Sequence, residues 1–212
     1  MSEKTVKLEF DINNIKNIVF DVGSVLIGYR WEDMFADHGT DRSVAQAVGR
    51  GLFDSPNWKL FDSGHISLQE LIDRFCVEHP DLEEEVRWFI DNAIQMRVIR
   101  PRVYAELNRL KDKGYKLYIL SNYSYELYEL HTSDLPFRKI MDGELVSYMI
   151  KELKPNIAIY EELVNRFNLN PTETVFFDDR LENAKGAEAV GIKGVHIENE
   201  SEELLLDYLK QF

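Results

Sequence analysis

Three short, β-rich apolar runs each stop abruptly at polar residues: Ile15 to Phe20 at Asp21, Lys116 to Leu120 at Ser121, and Thr174 to Phe177 at the pair Asp178 and Asp179. Runs of this length and composition read as buried strands, and Lys193 to Ile197 reads as a fourth. Helical patterns lie between them. Pro101 to Lys113 carries Val103, Tyr104, Leu107 and Leu110 at helical spacing, with Pro in the first turn and Gly114 just past the end, which is the start and stop chemistry of a helix. Asn156 to Phe167 and Leu181 to Val190 read as two more helices, the second stopped by Gly191. Strands alternating with helices of this length need crossover connections. The pattern therefore predicts an α/β fold, a three-layer Rossmann-like parallel sheet with helices on both faces.

Residues 29–99 break the alternation, because they lack β-rich runs and show helical periodicity between polar turns. They read as an all-helical insertion. Ser67 and Glu70 make a capping-box sequence that opens a helix through Leu71, Ile72 and Phe75. Asp81 to Met96 is expected to form the next, with Val86, Phe89, Ile90 and Ile94 on one face. The expected organisation is a core of residues 1–28 and 100–212 and a cap of residues 29–99, placed above one edge of the sheet. Residues 1–14 are assigned no structure.

Charge and composition narrow the partners. Lys plus Arg number 25 against 38 Asp plus Glu, a net charge of −13. Such a surface repels a phosphate backbone, so nucleic acid is not an expected partner. A small anionic ligand is compatible with it, since charge beyond a Debye length of ~8 Å is screened and a local cationic site can dominate. The single cysteine, Cys76, excludes an internal disulfide and a cysteine-rich zinc site; it is expected to be a buried small hydrophobe. The first ten residues lack the apolar segment of a signal peptide, and no apolar run approaches the ~20 residues of a membrane span. A cytoplasmic protein without a membrane partner, monomeric or homodimeric, is expected.

In an open parallel sheet, ligands bind beyond the carboxyl ends of the strands. Asp21, Ser121, Asp178 and Asp179 would converge on that rim from segments far apart in sequence. Singly each is weak, since Asp or Ser at a strand end is more often a turn or cap residue, and Lys154 before Pro155 would usually be a solvated lysine. Two carboxylates at the end of a buried strand, however, call for a counter-charge. A hard divalent ion with oxygen ligands, Mg²⁺, suits them.

The same residues resemble a known family. NIVFDVGSVL (17–26) is similar to the first motif of the haloacid dehalogenase superfamily, and LYILSN, ending in Ser121 and Asn122, to the second. Lys154 in ELKPNIAIY resembles the third motif. VFFDDRLENAKGAEAVGI, with Asp178, Asp179, Asn183 and Gly186, resembles the fourth, and FDSGHIS resembles a recurrent stretch of the family's helical caps. The resemblance implies a Mg²⁺-dependent phosphatase of the capped branch, similar to sugar-1-phosphate phosphatases, in which Asp21 is the nucleophile and forms an aspartyl phosphate. Ser121 and Asn122 would bind the phosphoryl group and Lys154 would neutralise it. Asp21, the Gly23 carbonyl, Asp178 and Asp179 would hold the metal, with Asp179 the more direct ligand of the pair.

One position departs from the pattern. Most phosphatases of the superfamily carry a second Asp two residues after the nucleophile as general acid, and here it is Gly23. General acid catalysis is worth ~10²- to 10⁴-fold, so substrates with easily expelled leaving groups, such as sugar 1-phosphates, acyl phosphates and aryl phosphates, are expected. Glu32, His38, Asp62 and His65 lie in the cap and are read as solvated or capping residues without a catalytic role. Trp31, Trp58 and Trp88 are read as cap core, with a sugar-binding face as the other option. Other readings are a dehalogenase, against which the acidic pair argues, a phosphomutase, which could least spare the acid, and a binding protein on the same fold.

Overall fold

The computed structural model describes residues 7–212; the part of the expected core that falls on residues 1–6 lies outside them. In chain order the elements are β1 (Asn17–Phe20), β2 (Ile27–Tyr29), α1 (Trp31–His38), α2 (Arg42–Phe53), α3 (Pro56–Asp62), α4 (Leu68–Glu78), α5 (Glu83–Asp91) and β3 (Arg97–Ile99). There follow α6 (Pro101–Asp112), β4 (Lys116–Ser121), α7 (Tyr125–Thr132), β5 (Gly143–Val146), α8 (Ile157–Phe167), β6 (Thr174–Asp178), α9 (Leu181–Glu188), β7 (Lys193–His196) and α10 (Glu202–Leu209). No helix among the described residues is long and apolar enough to cross a membrane.

Five strands form one parallel sheet in the order β5-β4-β1-β6-β7. Alternation along the strands splits the core into two layers. Ile18, Phe20, Leu117, Ile119, Val175 and Phe177 pack with Val103, Leu107 and Leu110 of α6 and with Leu205, Leu206 and Leu209 of α10. Val19, Tyr118, Leu120 and Phe176 pack instead with Ile159, Tyr160 and Leu163 of α8 and Ala187 of α9. Both faces of β1, β4 and β6 are therefore covered, which is why these strands read as continuous apolar runs. The expected three-layer α/β architecture is the observed one.

The chain leaves β1 for β4 and β5 on one side and returns to β6 and β7 on the other, so the topological switch lies at the end of β1. Phe20 is paired with Ile119 of β4 and Phe177 of β6. Asp21 and Asp178, directly after two of these positions, and Ser121, two residues after the third, accordingly meet across neighbouring strands.

The insertion differs from its sequence reading in three respects. It is entered and left through a two-stranded antiparallel stem, in which Ile27, Gly28 and Tyr29 of β2 pair with Ile99, Val98 and Arg97 of β3. Three-residue strands are too short to show a period of two. The helix expected over 81–96 stops at Asp91, and a 3-10 turn over Ala93–Met96 completes the segment. Three further helices, α1 to α3, precede α4, whose Ser67 and Glu70 form the expected capping box. Cys76 is half-buried, not buried. In the core, β5 escaped the sequence reading because GELV mixes glycine and glutamate into a four-residue edge strand. An aromatic cluster holds the cap together: Phe35 stacks on Phe89 at 5.3 Å between ring centroids, and Phe53 meets Trp58 edge-on at 4.8 Å.

Arg100, buried at the return to the core, donates to the carbonyls of Ser24 (2.7 Å), Val25 (3.0 Å) and Glu200 (2.9 Å). It ties the loop after β1 to the point where the cap ends.

Candidate active site

Asp21, Ser121, Lys154 and Asp178 are all buried at the carboxyl rim of the sheet, and Asp179 is half-buried beside them. One Asp21 oxygen accepts from Ser121 Oγ at 2.6 Å and from the Val22 N–H at 2.7 Å. The other faces Lys154 Nζ at 2.9 Å. Lys154 also donates to Asp178 at 2.7 Å and to the Leu120 carbonyl at 3.0 Å. Its ammonium is thus fixed between two carboxylates.

The two acidic neighbours on β6 are used differently. Asp178 accepts from Lys154, from Asn183 Nδ2 (3.0 and 3.1 Å) and from the Arg180 N–H (2.8 Å), so its lone pairs are largely spoken for. Asp179 lines the cavity, and its carbonyl faces His196 Nε2 at 2.9 Å. Asn122, expected to bind substrate, lines the cavity too but uses its side-chain amide on the Lys154 backbone, donating to the carbonyl (3.0 Å) and accepting from the N–H (2.8 Å). It clamps the lysine.

Carboxylate oxygens of Asp21, Asp178 and Asp179 lie within 4.8 Å of one another. Against three carboxylates stands one ammonium, which leaves two negative charges, the charge of one divalent cation. The donors are all oxygen, as a hard ion requires, so the residues present fit Mg²⁺. Burial, with repulsion from Asp178, pushes the Asp21 carboxyl up to about 6 even though Lys154 opposes it. Burial and the charges of Asp21 and Asp178 push Asp179 up to about 7. Both sit above the ordinary 3.8, so the fold holds protons that the unfolded chain has released, and stability falls as pH rises through this window. The melting temperature of chelator-treated protein is expected to drop between pH 5 and pH 8, and added Mg²⁺ to raise it more at pH 8 than at pH 5. A flat or rising profile would contradict the charge balance.

Above the rim lies a cavity of about 620 Å³. Its floor includes Asp21, Gly23, Ser121, Lys154 and Asp179, and the cap contributes Trp31, Phe53, Trp58, Lys59 and Asp62. Trp31 and Trp58 pack into the cap core and also present surface to the cavity. Trp88 does not line the cavity and stacks on His38 at 3.8 Å between ring centroids. Sequence reasoning missed Tyr29, Tyr123 and His131, which also line it. For the cap's part of the site, the sequence signals were FDSGHIS, the segment containing Asp62, and the tryptophans Trp31 and Trp58.

Comparison with known proteins gives a consistent answer. A family model described as haloacid dehalogenase-like hydrolase matches residues 15–191. A sesquiterpene phosphatase of Aspergillus oryzae is 25% identical over 186 residues, covering 86% of this chain and 89% of its own. A D-ribitol-5-phosphate phosphatase of Bacteroides thetaiotaomicron is 23% identical over 206 residues, covering 87% and 93%. Among solved structures, a family enzyme from Bacteroides thetaiotaomicron in complex with magnesium and inorganic phosphate shares the fold with a TM-score of 0.71 at 22% identity, over 89% of this chain and 96% of that one.

Proposed function

The chain belongs to the haloacid dehalogenase-like hydrolases, and from that premise we propose that it is a Mg²⁺-dependent phosphatase of small phosphorylated metabolites that works through an aspartyl-phosphate intermediate. The observation that carries this reading is the buried set of Asp21, Ser121 and Lys154 beside the acidic pair. Relatives that are phosphatases support it.

Asp21 is the nucleophile: one carboxylate oxygen forms a bond to phosphorus as the bond to the leaving oxygen breaks. Ser121 Oγ, now spent on Asp21, is close enough to donate to a phosphoryl oxygen in the same place. Lys154 keeps Asp21 ionised and offsets charge on the phosphoryl group, in a site where exclusion of water strengthens both effects. Asp21, Asp179 and the Gly23 carbonyl would hold a Mg²⁺ ion, with Asp178 orienting them, and the ion would supply the remaining neutralisation between two anions that must meet. A water molecule then attacks the phosphorus of the aspartyl phosphate, releasing inorganic phosphate and restoring Asp21.

For the leaving group we favour a sugar, and specifically a sugar 1-phosphate. The indole surfaces of Trp31 and Trp58 offer faces for a ring, and an anomeric oxygen asks less of a proton donor than a simple alcohol does. A dehalogenase is the weaker reading, because carbon chemistry has no use for three clustered carboxylates. Phosphate release from aryl phosphate, sugar 1-phosphates and sugar 6-phosphates, with and without Mg²⁺, tests the proposal. Turnover that needs Mg²⁺ is expected; chloride release from a haloacid in place of phosphate release would overturn it.

A further inference from the structure

Gly23 leaves the leaving oxygen without a proton donor on the loop after β1, and the structure fills the space with something else. A Cβ built at Gly23 would lie 2.9 Å from the hydroxyl of Tyr29 and 3.1 Å from its ring. The phenol of Tyr29 thus occupies the room that an acidic side chain at position 23 would take. It is the obvious substitute acid.

The hydrogen bonds behind Tyr29 argue against that role. His131 is fully buried, and burial, with Arg97 nearby, lowers it to about 4, so the ring is neutral and carries one N–H. Its Nε2 lies 3.0 Å from the Ala93 carbonyl, which can only accept, so the proton is on Nε2. Nδ1 must then accept, and Tyr123 donates to it at 2.6 Å. With Tyr123's one hydrogen committed, the 2.5 Å contact between the two phenols is made by the hydrogen of Tyr29. Tyr29 therefore turns only lone pairs toward the cavity. Burial also holds it well above the ordinary phenol range.

The cap supplies a better group. Asp62 ends α3 one turn after Trp58 and lines the same cavity as Asp21, Tyr29 and Lys154. Its position is set by the core: Ser147 Oγ, fully buried, donates to the Asp62 carbonyl. The Ser124 N–H and the Trp58 side chain act on its carboxyl from close by, favouring the ionised form. Two residues on, Gly64 has φ +69° and sits so close to Tyr148 that a Cβ would be 3.2 Å from the tyrosine Cβ and 3.3 Å from its Cα, which brings this turn flush against the core. Burial first, and the Asp21 charge after it, push the Asp62 carboxyl up to about 8, against the opposing pull of Ser124, Trp58 and the charge of Lys154. It carries a proton at neutral pH. Of the other cap candidates, Glu32, His38 and His65 do not line the cavity.

We propose that Asp62 is the general acid, supplied by the cap in place of the residue missing at Gly23. As the bond from phosphorus to the leaving oxygen breaks, the proton of the Asp62 carboxyl passes to that oxygen and the product departs as an alcohol. The resulting Asp62 carboxylate takes a proton from the water that attacks the aspartyl phosphate, so that the cycle ends with both carboxyl groups as they began. Tyr29, with lone pairs facing the cavity, accepts a hydrogen bond from a substrate hydroxyl. This inference rests on the phosphatase reading but not on the choice of sugar.

The test compares wild type, Asp62→Asn and Asp62→Glu on 2,4-dinitrophenyl phosphate, whose leaving group needs no proton, and on a sugar 6-phosphate, whose alkoxide does. With Mg²⁺ present, Asp62→Asn is expected to lose ~10²- to 10⁴-fold in kcat on the sugar 6-phosphate and little on the dinitrophenyl ester, and Asp62→Glu to recover part of the loss. An equal loss on both substrates would reduce Asp62 to a structural residue, and no loss on either would remove it from the reaction. Wild type that releases phosphate from neither substrate would instead refute the phosphatase reading. Tyr29→Phe is expected to affect KM more than the ratio of the two kcat values, and the opposite result would return the acid to Tyr29.

Discussion

Asp21→Asn should abolish phosphate release, by at least ~10³-fold in kcat, while leaving the fold intact. The amide keeps the shape of the carboxylate, and its oxygen can still accept from Ser121 Oγ and the Val22 N–H, the bonds that hold the side chain now. What it loses is the nucleophile, without which no aspartyl phosphate can form. The stability readout separates this from simple disruption. Since burial and Asp178 disfavour the ionised form of Asp21, removing its charge relieves the metal-free protein above about pH 6, and its melting temperature should equal or exceed that of wild type there. Residual turnover within tenfold of wild type would place the nucleophile elsewhere.

Lys154→Met should be the most damaging substitution to stability. Among the described residues, Lys154 is the one ammonium set between the carboxylates of Asp21 and Asp178, with no exposed side-chain surface. Removing one partner of a buried ion pair costs about 3–5 kcal/mol, because the remaining charge is stranded, and for a chain of this size that corresponds to a fall of about 10 °C in melting temperature. Two further dependencies identify the cause. The deficit should shrink toward pH 5, where Asp21 and Asp179 take up protons, and Mg²⁺ should restore part of it by replacing the lost positive charge. A deficit independent of both pH and Mg²⁺ would mean that methionine simply packs badly against Phe176, whose ring lies 5.2 Å below the ammonium. Turnover should fall as well, since the Lys154 charge does most to keep Asp21 ionised, with the Ser121 hydrogen bond a smaller aid.

What could be read in the chain and what could not divides along a physical line. The central strands announce themselves because both faces are buried, which forces unbroken apolar runs, and because each run ends where the backbone reaches the polar rim. Asp21, Ser121 and Asp178 are legible for that reason. Lys154 follows no strand, and only its resemblance to a family motif marked it. Asp62 is the opposite case. On α3 it looks like a helix-end carboxylate open to water, and its surroundings come from Ser124 and Ser147, more than sixty positions away, docking against it. The proton chain from Tyr29 to His131 is equally silent in sequence, since its members come from β2, the turn after β4 and α7. Asn122 shows a subtler limit: its place beside the site was legible, but its attachment to the Lys154 backbone was not.

The paired stem of β2 and β3 has a consequence for how such a protein can change over time. Because Ile27 and Ile99 sit directly opposite each other in the stem, the long excursion between them starts and finishes at practically one point, and the core's path would be much the same if the two residues were joined by a short turn. Lengthening, shrinking or exchanging everything beyond the stem leaves the register of the five-stranded sheet untouched. New substrate preferences can therefore be tried without risk to the folding of the remainder. Asp62 sets a limit on that freedom: a lid that also delivers the proton cannot be swapped without inheriting or reinventing a step of the chemistry.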